Sequence, residues 1–290
     1  MRVLVTGANG LLGRKLTSLI ETRKEIDLLA TNRSTLDVTD LSSLKEVTNT
    51  FRPDVIINAA AMTQVDQCEQ QKEECWKQNV GSVKNLVDVC SVNDIHLVHV
   101  STDFVFNGKE GPLDETAVPE PVNFYGESKL EGERIVLSSK CSAAIIRTVL
   151  VYGVTSDMSR SNIVLWVKKS LEDGKPIKVV NDQFRTPTLA EDLAMGCLLA
   201  AQKRSTGIFH VSGYEMMTPY DIAMKTVDFF QLDRSLITPT DASHFTQPAK
   251  RPAKTGFIIE KAKKELGYEP HSFAEGLEVI KEQLLFPPLQ

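Results

Sequence analysis

Thr6-Gly7-Ala8-Asn9-Gly10-Leu11-Leu12-Gly13 is the stretch on which the fold turns. It joins a strand candidate, Arg2–Thr6, to a helix candidate, Leu11–Glu21, in which Leu12, Leu16, Leu19 and Ile20 share one face. The spacing is G-x-x-G-x-x-G. Glycines at such positions allow a tight turn, let backbone approach a pyrophosphate, and let the helix pack close to the sheet. The helix start then offers free N–H groups and a positive partial charge to phosphates. A lone glycine pattern says little, but a strand before it and a helix after it supply the context that the phosphate-binding reading needs. A purely structural turn is the alternative.

The pattern continues outward from this loop. Residues 26–31, Val55–Asn58, 95–101 and Ala143–Thr148 read as strands, and 41–50, 73–93 and 125–139 as helices. Strands separated by helices of this length pair in parallel through right-handed crossovers. Near-continuous apolar strands fit a sheet buried on both faces. The expectation is an α/β fold with a doubly wound parallel sheet. After Tyr152-Gly153 the rhythm loosens: 155–161 is polar and loop-like, 162–172 helical, Ile177–Val180 a further strand and 189–202 a helix. Prolines become frequent from Gly213 onward. This divides the chain into a nucleotide-binding domain, 1–153 with 176–212, and a smaller discontinuous substrate lobe, 154–175 with 213–290.

Composition narrows the ligands. Among 290 residues, 33 Lys and Arg stand against 38 Asp and Glu, a net charge of −5. That argues against a nucleic-acid partner, which would want a basic face. The five cysteines form no C-x-x-C pair, so neither a zinc ribbon nor a disulfide framework is expected, and reduced, mostly buried thiols are. His96 and His99 share one strand but face opposite sides by parity, so no metal site is expected. No run of about 18 apolar residues is present, and the apolar run at Val3 is too short for export. A cytoplasmic enzyme without a membrane partner is the expectation, as monomer or homodimer.

Two constellations carry chemistry. At the end of the second strand, where NAD sites usually place a carboxylate, stands Arg33. It is the candidate reader of an NADP 2′-phosphate, a solvated loop arginine being the alternative. Asp37 and Val38 are placed to flank the adenine. NADPH is thus the expected cofactor, with NADH as the alternative. Further on, Tyr125-Gly126-Glu127-Ser128-Lys129 puts a phenol and an ammonium on one helical face. A nearby ammonium favours the phenolate and brings the phenol's pKa toward neutrality. Ser101-Thr102-Asp103 closes the fourth strand at its carboxyl end, where doubly wound folds bind ligands. The Thr102 hydroxyl is suited to hydrogen-bond a reacting carbonyl oxygen.

With these residues quoted, the chain resembles the extended short-chain dehydrogenases/reductases, and within them the dTDP-4-dehydrorhamnose reductase family. Further motifs carry the likeness: Leu36-Asp37-Val38-Thr39-Asp40, Asn58-Ala59-Ala60-Ala61, Val65-Asp66-Gln67-Cys68-Glu69, Arg147-Thr148, Thr186-Pro187-Thr188 and Arg251-Pro252. The resemblance implies a Rossmann nucleotide domain and reduction of a nucleotide-activated 4-keto sugar by a nicotinamide cofactor. It implies a catalytic set of Thr102, Tyr125 and Lys129, with Tyr125 donating the proton and Lys129 also holding the nicotinamide ribose. Gly7, Asn9, Gly10, Leu11, Leu12 and Gly13 match the pyrophosphate loop; Ala59, Ala60 and Ala61 match the stretch under the adenosine, and Asn79 is a further cofactor or structural candidate. Thr63, Val65, Asp103 and Phe104 lie where the family meets the sugar. Arg251 is a candidate for the diphosphate, with a loop ion pair as the alternative.

Some positions depart from the family. Phe104 and Leu150 stand where Tyr and Trp are common, and Arg185 where a small residue is. These leave the chemistry intact and open the identity of the sugar. Sugar-nucleotide 4,6-dehydratases place Asp-Glu after the threonine, whereas Thr102-Asp103 is followed here by Phe104. An epimerase, or a non-catalytic regulatory subunit like that of methionine adenosyltransferase, are the remaining alternatives. Lys261–Lys264 reads as a solvated helical face.

Overall fold

The first strand, β1 (Arg2–Thr6), sends Val3 and Val5 into one core cluster and Leu4 into another. Side chains alternate along a strand, so consecutive apolar residues need cover on both faces. In the computed structural model, which describes residues 1–154, 162–245 and 247–286, helices supply that cover. The polar stretch 155–161 lies outside the described residues. In chain order follow α1 (Leu11–Glu21), β2 (Asp27–Ala30), α2 (Leu41–Phe51), β3 (Val55–Asn58), α3 (Val65–Gln70), α4 (Lys72–Trp76) and α5 (Ser82–Asn93). Next come β4 (His96–Thr102), α6 (Phe124–Ser138), β5 (Ala143–Thr148), β6 (Val151–Tyr152), α7 (Ile163–Glu172), β7 (Ile177–Val180), β8 (Thr188–Leu189) and α8 (Ala190–Gln202). The chain ends through β9 (Gly207–His210), α9 (Pro219–Phe230), β10 (Ile237–Thr240) and α10 (Phe273–Leu285).

Six parallel strands form the central sheet in the order β2-β1-β3-β4-β5-β9. One face packs against α1 and α8, through Val3, Val55, Ile57, Val98, Leu16 and Cys197 among others. The opposite face packs against α2, α5 and α6, through Leu4, Ile56, Leu97, Leu44 and Leu86. The doubly wound expectation therefore holds. Strand order reverses between β1 and β3, and this opens a crevice at their carboxyl ends.

The structure corrects three readings. Ile177–Val180 is a strand but pairs with β10, outside the central sheet. Ile177 and Val179 pack with Val167, Ala223, Val227 and Ile237, so this segment, expected with the nucleotide-binding domain, builds its core with α7 and α9. The sixth strand of the sheet is β9, a Gly-Ile-Phe-His segment too short and too partially covered to announce itself. The single helix expected over 73–93 is α4, a π-helical turn at Lys77–Gly81, and α5. The wide turn carries Asn79, whose side-chain oxygen accepts from Met62 N–H at 2.8 Å and whose amide donates to Met62 O (3.0 Å) and Ser128 Oγ (3.0 Å). Those partners lie far away in sequence, so helical periodicity carries no trace of them. Lys261, expected on a solvated face, instead donates to Ile208 O at 2.7 Å.

The second unit has its own core, where Tyr152, Leu165, Ile222, Phe273 and Leu277 join α7, α9 and α10. Inside the first, Arg147 of β5 forks onto Glu133 of α6 at 2.9 and 2.6 Å, and Ser101 of β4 donates to the same carboxylate. Both charges are nearly fully buried. Removing one partner would leave the other unpaired, a cost of about 3–5 kcal/mol. The pair fixes α6 against the sheet, and α6 carries Tyr125 and Lys129.

Candidate active site

The glycine loop builds the first half of the site. Gly7 has φ +70°, and a Cβ there would meet Ala60 N at 2.8 Å and Ala59 O at 2.9 Å. A Cβ on Gly13 would lie 2.2 Å from Gly7 O, so α1 can start this close to β1 only with hydrogen at that position. Gly10 caps α1 without a side-chain hydrogen bond, and no acidic residue occupies the first turn. The helix therefore presents its free N–H groups to the crevice.

A cleft of about 470 Å³ opens there. Gly7, Asn9, Gly10, Arg33, Asp37, Val38, Ala59, Ala60 and Ala61 line it, nine of the residues expected at the cofactor. Leu11, Leu12 and Gly13 stand behind it in the first turn of α1, with Leu12 packed on the core. Arg33 reaches across the rim to Glu74 at 3.2 Å and remains largely exposed. Asp37 is turned onto Thr39, accepting from its N–H (2.9 Å) and hydroxyl (2.8 Å), which hold its carboxyl below the usual range. Asn32, Ser34, Leu36, Thr39 and Gln78 also line the cleft. The first four adjoin residues already singled out. Gln78 arrives from the π turn, and no local signal marks it.

The second half is the meeting of β4 with α6. Asn123 caps α6 by accepting from Gly126 N–H at 2.8 Å, and its amide donates to Lys250 O. The first turns of α6 then carry Tyr125 and Lys129, 8% and 3% exposed, toward Thr102 at the end of β4. Phe104 packs edge-on against the Tyr125 ring, centroids 5.7 Å apart. Burial pushes the Tyr125 phenol well above its ordinary pKa, and a hydrogen bond with Thr102 partly offsets it. The lowering expected from Lys129 does not operate here. The Lys129 ammonium donates to Val100 O at 2.7 Å, and burial lowers its own pKa to about 8 while Glu133 opposes that shift. Desolvation outweighs the pairwise attraction that the i, i+4 spacing suggested.

Of the residues expected at the sugar, Val65, Phe104 and Asp103 pack beside this centre. Thr63 is exposed after β3, and Val65 packs beside Tyr125 and Phe104. Leu150 sits between β5 and β6 at φ +36°, a backbone region unusual for a branched side chain. Asp103 is buried, with Oδ1 accepting from Thr102 and Oδ2 from Thr255. Arg251 forks onto Asp66 at 2.5 and 2.7 Å and also donates to Ala249 O, so the loop ion pair is what forms.

Residues 1–285 match the model of the RmlD substrate binding domain family. The chain belongs to that family. It is 32% identical over 97% of its length to a dTDP-4-dehydrorhamnose reductase of Aggregatibacter actinomycetemcomitans, covering 98% of that protein. It is also 34% identical over 82% of its length to methionine adenosyltransferase 2 subunit beta of Xenopus laevis, covering 75% of that protein. The crystal structure of dTDP-4-dehydrorhamnose reductase from Bacillus anthracis str. Ames in complex with NADP matches with a TM-score of 0.91 at 30% identity, over 97% of this chain and 99% of that one. In this RmlD-family chain, sequence reasoning gave Arg185 no role beyond its departure from the family. The structure buries it beside Asp103, with Nε 3.6 Å from Oδ2. Among the described residues, no helix is long and apolar enough to cross a membrane.

Proposed function

We propose that this chain reduces the 4-keto group of a nucleotide-activated 6-deoxy sugar with NADPH, converting dTDP-4-dehydrorhamnose to dTDP-L-rhamnose. The observation that carries the reading is the convergence of Thr102, Tyr125 and Lys129 at the carboxyl end of β4 in a member of this family. The residues of the cleft fit a dinucleotide: the loop has no room for a Cβ at Gly7 or Gly13, and the α1 N-terminus is uncapped. The loop would hold the pyrophosphate, Ala59 to Ala61 the adenosine side, Arg33 a 2′-phosphate and Lys129 the nicotinamide ribose. Bound there, NADPH supplies a hydride to the carbonyl carbon.

The chain's own groups do the rest. Burial keeps the Tyr125 phenol protonated at neutral pH, so it is loaded to give its proton to the carbonyl oxygen as negative charge develops. Thr102 steadies the same oxygen. The phenolate left behind then recovers a proton from solvent, and Lys129, whose ammonium is held on Val100 O, keeps its role at the nicotinamide ribose. Cytoplasmic location is part of this proposal, supported by five cysteines that are all free.

Purified protein given dTDP-4-dehydrorhamnose and NADPH should consume the cofactor stoichiometrically and release dTDP-rhamnose. An isomeric 4-keto sugar nucleotide formed without net NADPH loss would point to an epimerase. The likeness to methionine adenosyltransferase 2 subunit beta favours a second reading, a binding subunit. NADPH binding without turnover of any 4-keto sugar nucleotide would select it.

A further inference from the structure

An ion pair crosses the rim of the cleft proposed for the cofactor. Arg33, in the loop after β2, and Gln78, in the π-helical turn after α4, line that cleft from two separate segments. Glu74 of α4 joins them. Its Oε1 accepts from Arg33 Nη2 at 3.2 Å and from the Gln78 side-chain amide. Both donors converge on that one oxygen, and Oε2 accepts no hydrogen bond among the described residues. The two charged side chains are open to solvent, Arg33 at 68% and Glu74 at 39% exposure. The other carboxylate at the cleft, Asp37, is turned onto Thr39, so Glu74 is the one that Arg33 meets.

A carboxylate near the end of the second strand suits the free ribose hydroxyl of NAD, and an arginine there suits a 2′-phosphate. This rim holds both charges, the arginine after β2 and the carboxylate on α4. A 2′-phosphate that engages Arg33 must take it from Glu74 and bring its own negative charge toward that carboxylate. A cofactor with a free 2′-hydroxyl makes no such demand. Glu74 can act on Arg33 in two opposing ways: ordering the guanidinium would help a phosphate, and competing for it would hinder one. A single 3.2 Å contact on so exposed a side chain orders little. The carboxylate, by contrast, is pinned from four residues along the same helical run by Gln78. Gln78 and, after it, Arg33 hold the Glu74 carboxyl below its usual range, so it stays charged at neutral pH. Competition therefore outweighs ordering.

We propose that Glu74 is a positioning residue that sets cofactor preference: it holds Arg33 at the rim, weakens binding of a cofactor that carries a 2′-phosphate, and so narrows the advantage of NADPH over NADH. The proposal rests on the reading of this cleft as a nicotinamide dinucleotide site and needs no turnover. Gln78 supports it by holding the same carboxylate oxygen.

The test is equilibrium binding to the full chain as wild type, Glu74→Gln, Arg33→Ala and the double variant Arg33→Ala/Glu74→Gln, read by the fluorescence of NADPH and of NADH. Adenosine 2′,5′-bisphosphate and adenosine 5′-monophosphate, each competed against NADH, isolate the end of the cofactor that differs. Glu74→Gln should tighten NADPH about threefold to fivefold and leave NADH unchanged. The bisphosphate should show the same gain and the monophosphate none. In the Arg33→Ala background the same substitution should give no gain, because no guanidinium is left to release. The gain should also shrink in about 1 M salt, where the Debye length is about 3 Å. Both positions are exposed, and an unchanged unfolding midpoint checks that each variant folds. Weaker NADPH binding by Glu74→Gln would mean that the pair orders Arg33 for the phosphate, and would overturn the proposal. Equal gains with and without Arg33, or a gain indifferent to salt, would overturn it too, since the effect would not run through the ion pair. A wild type that bound neither NADPH nor NADH would remove the cofactor reading and the proposal with it. A wild type that bound both, with a ratio unmoved by Glu74→Gln, would remove the proposal alone.

Discussion

In the cleft proposed for the dinucleotide, the glycine loop and the start of α1 offer mainly backbone to a ligand. The start of α1 presents N–H groups that no side chain caps, and Gly7 and Gly10 line the opening before it. On the side proposed for the sugar, the charged groups already hold one another: Arg251 grips Asp66, and Arg185 faces Asp103. A backbone site is open as folded and depends on what is missing at its glycines. A side-chain site is closed on itself, and a ligand must compete with pairs that satisfy each other. The difference predicts that the first half tolerates no added atoms, while the second responds to loss of charge and of donors.

The largest effect should come at the junction of the two halves. Tyr125→Phe retains the ring against Phe104 and deletes only the proton donor. Turnover should fall about 10²- to 10⁴-fold with NADPH affinity intact, as read by cofactor consumption and fluorescence titration. Near-normal turnover would take the acid role away from Tyr125. Gly13→Ala probes the backbone half, because its methyl would lie 2.2 Å from Gly7 O. NADPH affinity should drop about tenfold to a hundredfold by calorimetric titration, and an unchanged affinity would break the contrast drawn above.

Lys129 supplies a pH test. Its pKa is lowered to about 8 by burial, so its charge is present below that pH and lost above it. The kcat/KM of the free enzyme should decline about tenfold per pH unit above that point, and Lys129→Met should erase this limb along with most of the activity. The smallest effect belongs to Arg33, exposed at the cleft rim and paired with Glu74. Arg33→Ala should reduce the preference for NADPH over NADH about fivefold, measured as the ratio of Michaelis constants. An unchanged ratio would assign it to the ion pair alone.

Several features were legible because they are local. Val3-Leu4-Val5 announces a doubly covered strand, the glycine spacing announces the loop, and Tyr125 with Lys129 announces one helical face. Others resisted reading. The exchange of β7 for β9 in the sheet depended on which short strand found cover beside β5. The Tyr125 phenol was expected to be lowered by its neighbouring ammonium, yet burial raises it, and depth of burial is not written in an i, i+4 spacing.

The sequence by itself determined the periodicities, the glycine turn and the order of the chemical groups along the chain. Those follow from steric limits and repeat distances acting over a few residues. Only the tertiary structure decided which charges meet. Asp66 and Arg251 stand 185 residues apart, and Asp103 finds Arg185 and Thr255 from two separate loops. Such pairs form because burial makes an unpaired charge costly, and burial is a property of the whole packed chain.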